Sequence, residues 1–329
     1  MKKEYLILIL IIIGLSAYLV LKKDNQVHYE LPVLPQVDTE TIDRIQITKA
    51  DRSIMLNKTE NTWTLNEDKY PADKAAVDDI LDTIKELTLS ALVSEAGDLA
   101  RYELDDANAV KVKVFSKDAL KREFSIGKAA PSFNHTFVMV DGTKQILQAD
   151  KSFRNHFDKS VGDLRDKLVL EFEPGEIKKI TLEKQGTLMT LIPASQSNGD
   201  SDDDKSGSNE TTEDKKNSGW VFEDGTAADK ETIDDLLSSL SHLECQSFLD
   251  QDRARELKKE TPLCKITLEN KETLGLNLFK QEGTEDMAGI SKSSPYAFTL
   301  AGYKTGDIVS YVDKLLGLEK PEETESDKE

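Results

Sequence analysis

Reactive side chains are scarce in this chain. Its 329 residues include two cysteines and four histidines. His28, His135, His156 and His242 fall neither four apart nor in an HExxH pattern, and no CxxC or Cys/His zinc spacing occurs. The GxSxG elbow and the GxGxxG fingerprint are also missing. Gly127-Lys128 follows an apolar strand, but Arg122 stands where a phosphate loop needs glycine, and no Ser or Thr follows the lysine. That pair reads as a turn. Asp200, Asp202, Asp203 and Asp204 lack the glycine and distant glutamate of a calcium loop. Adjacent acids such as Asp78-Asp79 and Asp105-Asp106 point apart on a helix or strand, so they do not share a proton. No catalytic, metal-binding or cofactor-binding residue is assigned, and the expectation is a protein that is not an enzyme and needs no cofactor.

Positive charge is also short. Forty-three Lys and Arg face 62 Asp and Glu, for a net charge of −19. Residues 198–217 and 319–329 contribute −4 each, so −11 is spread over the rest. With no basic stripe, nucleic-acid partners are excluded. The 38% hydrophobic content is below the ~45–50% of an average soluble protein. Most of that deficit sits in the same two polar segments, so the remainder can bury a core.

One segment departs from this polarity. Tyr5 and the uncharged run Leu6–Leu21 make 17 residues. As a helix they reach about 26 Å at ~1.5 Å per residue, the short end of the spanning range. Lys2 and Lys3 flank one end, Lys22 and Lys23 the other. Small residues suited to signal cleavage do not come after the run, nor does a lipoprotein cysteine. Residues 1–23 therefore read as an uncleaved anchor that contacts the membrane through 5–21. The short lysine-bearing N-terminal flank favours the bulk of the chain on the extracytoplasmic side of a bacterial cytoplasmic membrane.

Beyond the anchor, one pattern is written twice. Val77, Ile80, Leu81, Ile84 and Leu87 recur 156 residues later as Ile233, Leu236, Leu237, Leu240 and Leu243. Ala72-Asp73-Lys74 returns as Ala228-Asp229-Lys230, and Trp63 and Trp220 open the two copies. The fold class expected is α+β: an N-terminal transmembrane helix, then two tandem homologous modules. Each module has an antiparallel β-meander, a helix, further antiparallel strands and a short closing helix. The first meander places Ile45 and Ile47, Ile54 and Leu56, then Trp63 and Leu65 on its strands. Four more strands are expected at 110–115, 122–126, 136–140 and 145–148, with Asp141-Gly142 as a tight hairpin and 150–159 as a short helix.

The boundaries expected are a spacer at 24–41, the first repeat at 42–172 and the second at 173–318. A disordered insertion occupies 195–219, where no apolar residue occurs, and an acidic disordered tail occupies 319–329. Cys245 and Cys264 lie in the second copy at positions where the first is apolar. They read as small buried hydrophobes, with a disulfide as the alternative. Trp63, Trp220, Phe124 and Phe298 read as core packing. Between the copies, Leu164-Arg165-Asp166-Lys167 places charges among apolar flanks. These four are the interaction candidates, either as an inter-copy salt bridge or as a partner contact.

Several short stretches resemble a bacterial family known as domain of unknown function 4340. They are Trp63-Thr64-Leu65, Tyr70-Pro71-Ala72-Asp73, Arg101-Tyr102-Glu103-Leu104-Asp105, Phe124-Ser125-Ile126-Gly127-Lys128, Thr136-Phe137-Val138-Met139-Val140 and Leu164-Arg165-Asp166-Lys167. The resemblance covers most of 42–172 and the second copy more weakly. Glu103 stands where the family usually has glycine, and Leu278-Phe279-Lys280 replaces the Ile126-Gly127-Lys128 pattern in the second copy. The resemblance implies a single-span membrane protein with an exported repeated domain, often encoded beside ABC transporters of the gliding-motility type. It carries over no catalytic residues.

The function expected is a membrane-anchored, non-catalytic accessory subunit of an ABC-type transporter or gliding-motility-like complex, with an integral-membrane transporter as partner. A free-standing envelope protein that recognises glycan or peptide is the alternative, and a hydrolase using scattered carboxylates is a third reading. The sequence names no small-molecule ligand.

Overall fold

The computed structural model describes residues 11–16, 31–95, 97–140, 142–194 and 219–318. The chain divides into two compact units, Met1–Ser160 and Val161–Glu329. Both are mixed α+β with antiparallel sheets.

In the first unit, alternating apolar residues build a meander of β1 (Arg44–Lys49), β2 (Arg52–Thr59) and β3 (Thr62–Leu65). Ile45 pairs with Leu56, Ile47 with Ile54 and Leu56 with Leu65. One face of all three strands is thereby buried. The two-residue β4 (Tyr70–Pro71) borders β3. Asp73 caps α1 (Lys74–Glu86), accepting a bond from the Ala76 N–H at 2.6 Å. Val77, Ile80 and Ile84 recur at helical spacing and are at most 1% exposed. Each such side chain contributes about 1.5–3 kcal/mol.

Next come β5 (Leu89–Ser94), β6 (Val110–Ser116), β7 (Ala119–Ala129), β8 (Thr136–Val140) and β9 (Ile146–Ala149). The nine strands lie in the order β4-β3-β2-β1-β6-β7-β8-β9-β5. A single turn, α2 (Arg154–Phe157), closes the unit, with Phe157 edge-on to Phe124 and Phe153.

The second unit opens with α3 (Val161–Leu164) and β10 (Leu168–Glu171). Its meander is β11 (Lys179–Lys184), β12 (Thr187–Pro193) and β13 (Trp220–Phe222). Asp229 caps α4 (Lys230–Ser241) through the Thr232 N–H. β14 (His242–Glu244), β15 (Ser247–Phe248) and α5 (Gln251–Leu257) come next. The unit is completed by β16 (Cys264–Glu269), β17 (Thr273–Lys280), β18 (Met287–Ser291), β19 (Phe298–Leu300) and α6 (Gly302–Leu316). The main sheet runs β13-β12-β11-β16-β17-β18-β19-β15, and β10 pairs with β14 separately. Apart from β4, this repeats the strand order of the first sheet position for position.

Several expectations change. Gly127-Lys128 is no turn but lies inside β7, at a register shift between Ile126 and Ala129. A side chain at Gly127 would collide with the Tyr102 carbonyl. Trp63 is half-buried rather than core, since β3 lies near the sheet edge and Lys58 stands over its ring. Phe124, Phe298 and Trp220 are buried as expected. The closing helix of the second unit is long, 15 residues, not short. The unit boundary falls at Ser160/Val161, because β10 pairs with β14 of the second unit.

The described part of the expected spacer packs onto the first unit. Val37 is buried, and Asp38 caps the single turn Thr39–Thr41. Of the expected anchor, Ile11–Ser16 are helical and exposed, while the rest of 5–21 lies outside the described residues. Among the described residues no helix is long and apolar enough to cross a membrane. The insertion (save Gly219), the acidic tail, Asp141 and the aspartates at 200–204 also lie outside the described residues.

Candidate functional site

The four interaction candidates between the copies sit in the second unit. Leu164 is fully buried. The Arg165 guanidinium stacks 3.6 Å from the Phe248 ring centre and 4.6 Å from that of Tyr296. Those rings meet edge-on at 5.8 Å. Asp166 accepts the Leu168 N–H at 2.9 Å, and the Lys167 carbonyl accepts the Cys245 N–H at 2.9 Å. The segment is thus fastened at both ends of its run, with the arginine as a cation–π wedge. No sequence pattern points to Phe248 and Tyr296 as its partners.

Both cysteines are free and buried. Burial pushes the Cys245 thiol up to about 11 and that of Cys264 up to about 12. Among the described residues no group of three or more His, Cys, Asp or Glu side chains is arranged to hold a metal ion.

Arg122 makes the least expected contact. It is 8% exposed, and its guanidinium donates to the Ile84 carbonyl in the last turn of α1 and to the Pro35 carbonyl in the segment before β1. Burial lowers its pKa from the ordinary arginine value. A cation at a helix C-terminus also complements the helix dipole. Pro35 has no N–H to donate, and its carbonyl is the backbone group that Arg122 bonds.

One concavity of the first unit is a groove beside α1, partly open to solvent. Asp79, Asp82, Thr83 and Glu86 of α1 form one wall; Asp150, Lys151 and His156 stand on the other. Thr83 Oγ1 donates to the Asp79 carbonyl at 2.8 Å, as helical threonines do. Its one proton is then spent, so the 2.9 Å contact with His156 Nδ1 requires that nitrogen to be the donor. Nε2 of a neutral His156 is therefore left as the acceptor. Lys151 Nζ binds Glu86 Oε2 at 2.6 Å. That bond lowers the Glu86 carboxyl and raises the Lys151 ammonium. Asp79 and Asp82 make no salt bridge among the described residues, which leaves the groove acidic.

Sequence alone does not reveal this groove, because Asp78-Asp79 and His156 each look like solvated surface. Their meeting is a tertiary contact, Thr83 with His156 across 73 residues, which no local signal announces.

The family model described as Domain of unknown function (DUF4340) matches residues 63–265, more than half of the chain. The chain belongs to this family. The match takes in α1, the groove wall on it, Arg122 and the whole of the Arg165 segment. Neither the curated proteins nor the solved structures include a match to this DUF4340 protein.

Proposed function

We propose that this DUF4340 protein is a single-pass, membrane-anchored accessory subunit. Two tandem homologous modules stand on the extracytoplasmic side and bind an integral-membrane transporter-type partner without catalysing a reaction of their own. The apolar run 5–21 supports the anchor. The observation that carries the reading is the recurrence of one strand order in two compact units behind that run.

Three details favour a doubled module over chance. The helix after each meander is capped by an aspartate, Asp73 and Asp229. Each has the same apolar stripe. In each unit the last residue of the first meander strand is a lysine bound to an aspartate near the end of the unit: Lys49 to Asp158, and Lys184 to Asp313. A repeated fold with a large non-catalytic surface suits recognition of a partner. Affinity purification from gently solubilised membranes tests this. Recovery of a permease or ATPase with the chain supports the proposal, and repeated recovery of the chain alone overturns it.

A further inference from the structure

The two units differ along one helix face. In the second unit α6 lies antiparallel to α4. Lys304 near its start donates to the Glu244 carbonyl at 3.2 Å, while Tyr311 and Lys314 further on lie within electrostatic reach of Asp235 and Asp229. In the first unit the corresponding element is the single turn α2, and His156 takes the place of Tyr311 beside the helix. Residues 150–153 replace the opening turns of the long helix. What remains beside α1 is the groove, open to solvent along that helix face.

The chemistry of the exposed face differs in step with its coverage. Asp79, Asp82 and Glu86 of α1 correspond, 156 residues on, to Asp235, Ser238 and His242. The face covered by a helix carries one acid and the uncovered face three, with Asp150 opposite and Lys151 as the one amine in the groove. Burying carboxylates against a neutral helix would be unfavourable without cations to meet them. An anionic lipid surface is repelled by the same charges.

We infer that this groove seats a short helical segment of a partner protein that carries lysine or arginine, docked along α1 as α6 docks along α4. The inference rests on the reading of the chain as a partner-binding protein and names the chemistry of that partner. Asp79 and Asp82 receive the cations, Leu87 and Phe153 line the floor, and Lys151 competes with the ligand for Glu86.

The test uses the full chain in neutral detergent and two labelled synthetic helices, one of alanine and lysine and its alanine–glutamate counterpart, with affinity read by fluorescence anisotropy. The lysine helix binds and the glutamate helix does not. The double variant Asp79→Asn/Asp82→Asn weakens binding about fivefold, as expected for losing two solvent-exposed charge contacts. The control Glu231→Gln/Asp234→Asn removes two acids from α4 and leaves affinity unchanged. Lys151→Gln removes the competitor and tightens binding. Equal weakening by both double variants, no weakening by either, or equal binding of the glutamate helix overturns the inference. This assay contains no membrane partner. Its failure alongside a successful co-purification would move the docking surface elsewhere, whereas a failed co-purification would remove the subunit reading itself.

Discussion

Lys184 Nζ lies 2.5 Å from one carboxylate oxygen of Asp313 and 2.6 Å from the other, with the lysine side chain 6% exposed. The first strand of the second unit's main sheet is thereby tied to its closing helix. Removing one partner leaves the other as a buried, uncompensated charge, which typically costs about 3–5 kcal/mol. Asp313→Asn is expected near the lower end, since Asp313 keeps some solvent contact. The double variant Lys184→Met/Asp313→Leu should recover most of that loss. Urea unfolding of the three proteins checks both statements. A single variant as stable as the parent contradicts the first.

The corresponding pair in the first unit is more exposed and adds a pH dependence. Burial works to raise the Asp158 carboxyl, but Lys49 and Arg154 outweigh it and hold its pKa below the ordinary value. A carboxyl depressed in the folded state contributes stability above its unfolded pKa of about 3.9. That contribution fades as pH falls through the lower folded value. Asp158→Asn should therefore be less stable than the parent at neutral pH, with the gap closing on acidification. Thermal midpoints of both proteins across that range measure the gap; a gap that widens in acid contradicts the assignment.

Cys245 and Cys264 should resist alkylation in the native protein at neutral pH, because burial keeps both thiols protonated. Iodoacetamide labelling with mass-spectrometric readout should find neither modified until denaturant is added. Rapid labelling of either thiol in the folded protein would refute its burial.

Arg122→Ala should release the segment before β1, since the Pro35 and Ile84 carbonyls both lose their donor. The buried Ile84 acceptor left unpaired costs about 1–3 kcal/mol, and the more exposed Pro35 carbonyl less. Limited proteolysis should then cut between residues 31 and 38 sooner than in the parent. Unchanged cleavage there shows that other contacts hold the segment.

Glu103 occupies a left-handed conformation at φ 56°, where glycine fits without strain. Its carboxylate also binds Arg154 at 3.2 Å. Relief of about 1 kcal/mol of backbone strain should exceed the loss of a half-exposed ion pair worth ~0.2–1 kcal/mol. Glu103→Gly is thus expected to raise the thermal midpoint slightly, as measured by circular dichroism; a clear fall would assign the ion pair the larger share.

Much of the fold is legible in the sequence because burial keeps to the period of each element. Val110, Val112 and Val114 alternate as a strand must, and Val77, Ile80 and Ile84 keep helical spacing. Asp73 stands out as a cap from its place before an apolar stripe. The losses come where tertiary context overrides local pattern. β5 reads Leu-Ser-Ala-Leu-Val-Ser with no clean alternation, and β18 is Met-Ala-Gly-Ile-Ser, whose small residues make room for Phe298 over Gly289. Gly127 looks like a turn because the carbonyl that requires it, that of Tyr102, lies 25 residues earlier. The acidic groove brings together Thr83 and His156, 73 residues apart, and Arg122 reaches partners 87 and 38 residues away. Single-residue chemistry announces none of these.

The apolar run at residues 5–21 underlies the anchored, outward-facing reading, so membrane sidedness tests it most directly. Spheroplasts of a bacterium expressing the full chain with a C-terminal tag are treated with protease before and after lysis. The tag and both units should be digested in intact spheroplasts, while the untreated chain sediments with the membrane fraction. A tag protected until lysis, or a chain that stays in the supernatant without detergent, contradicts that reading.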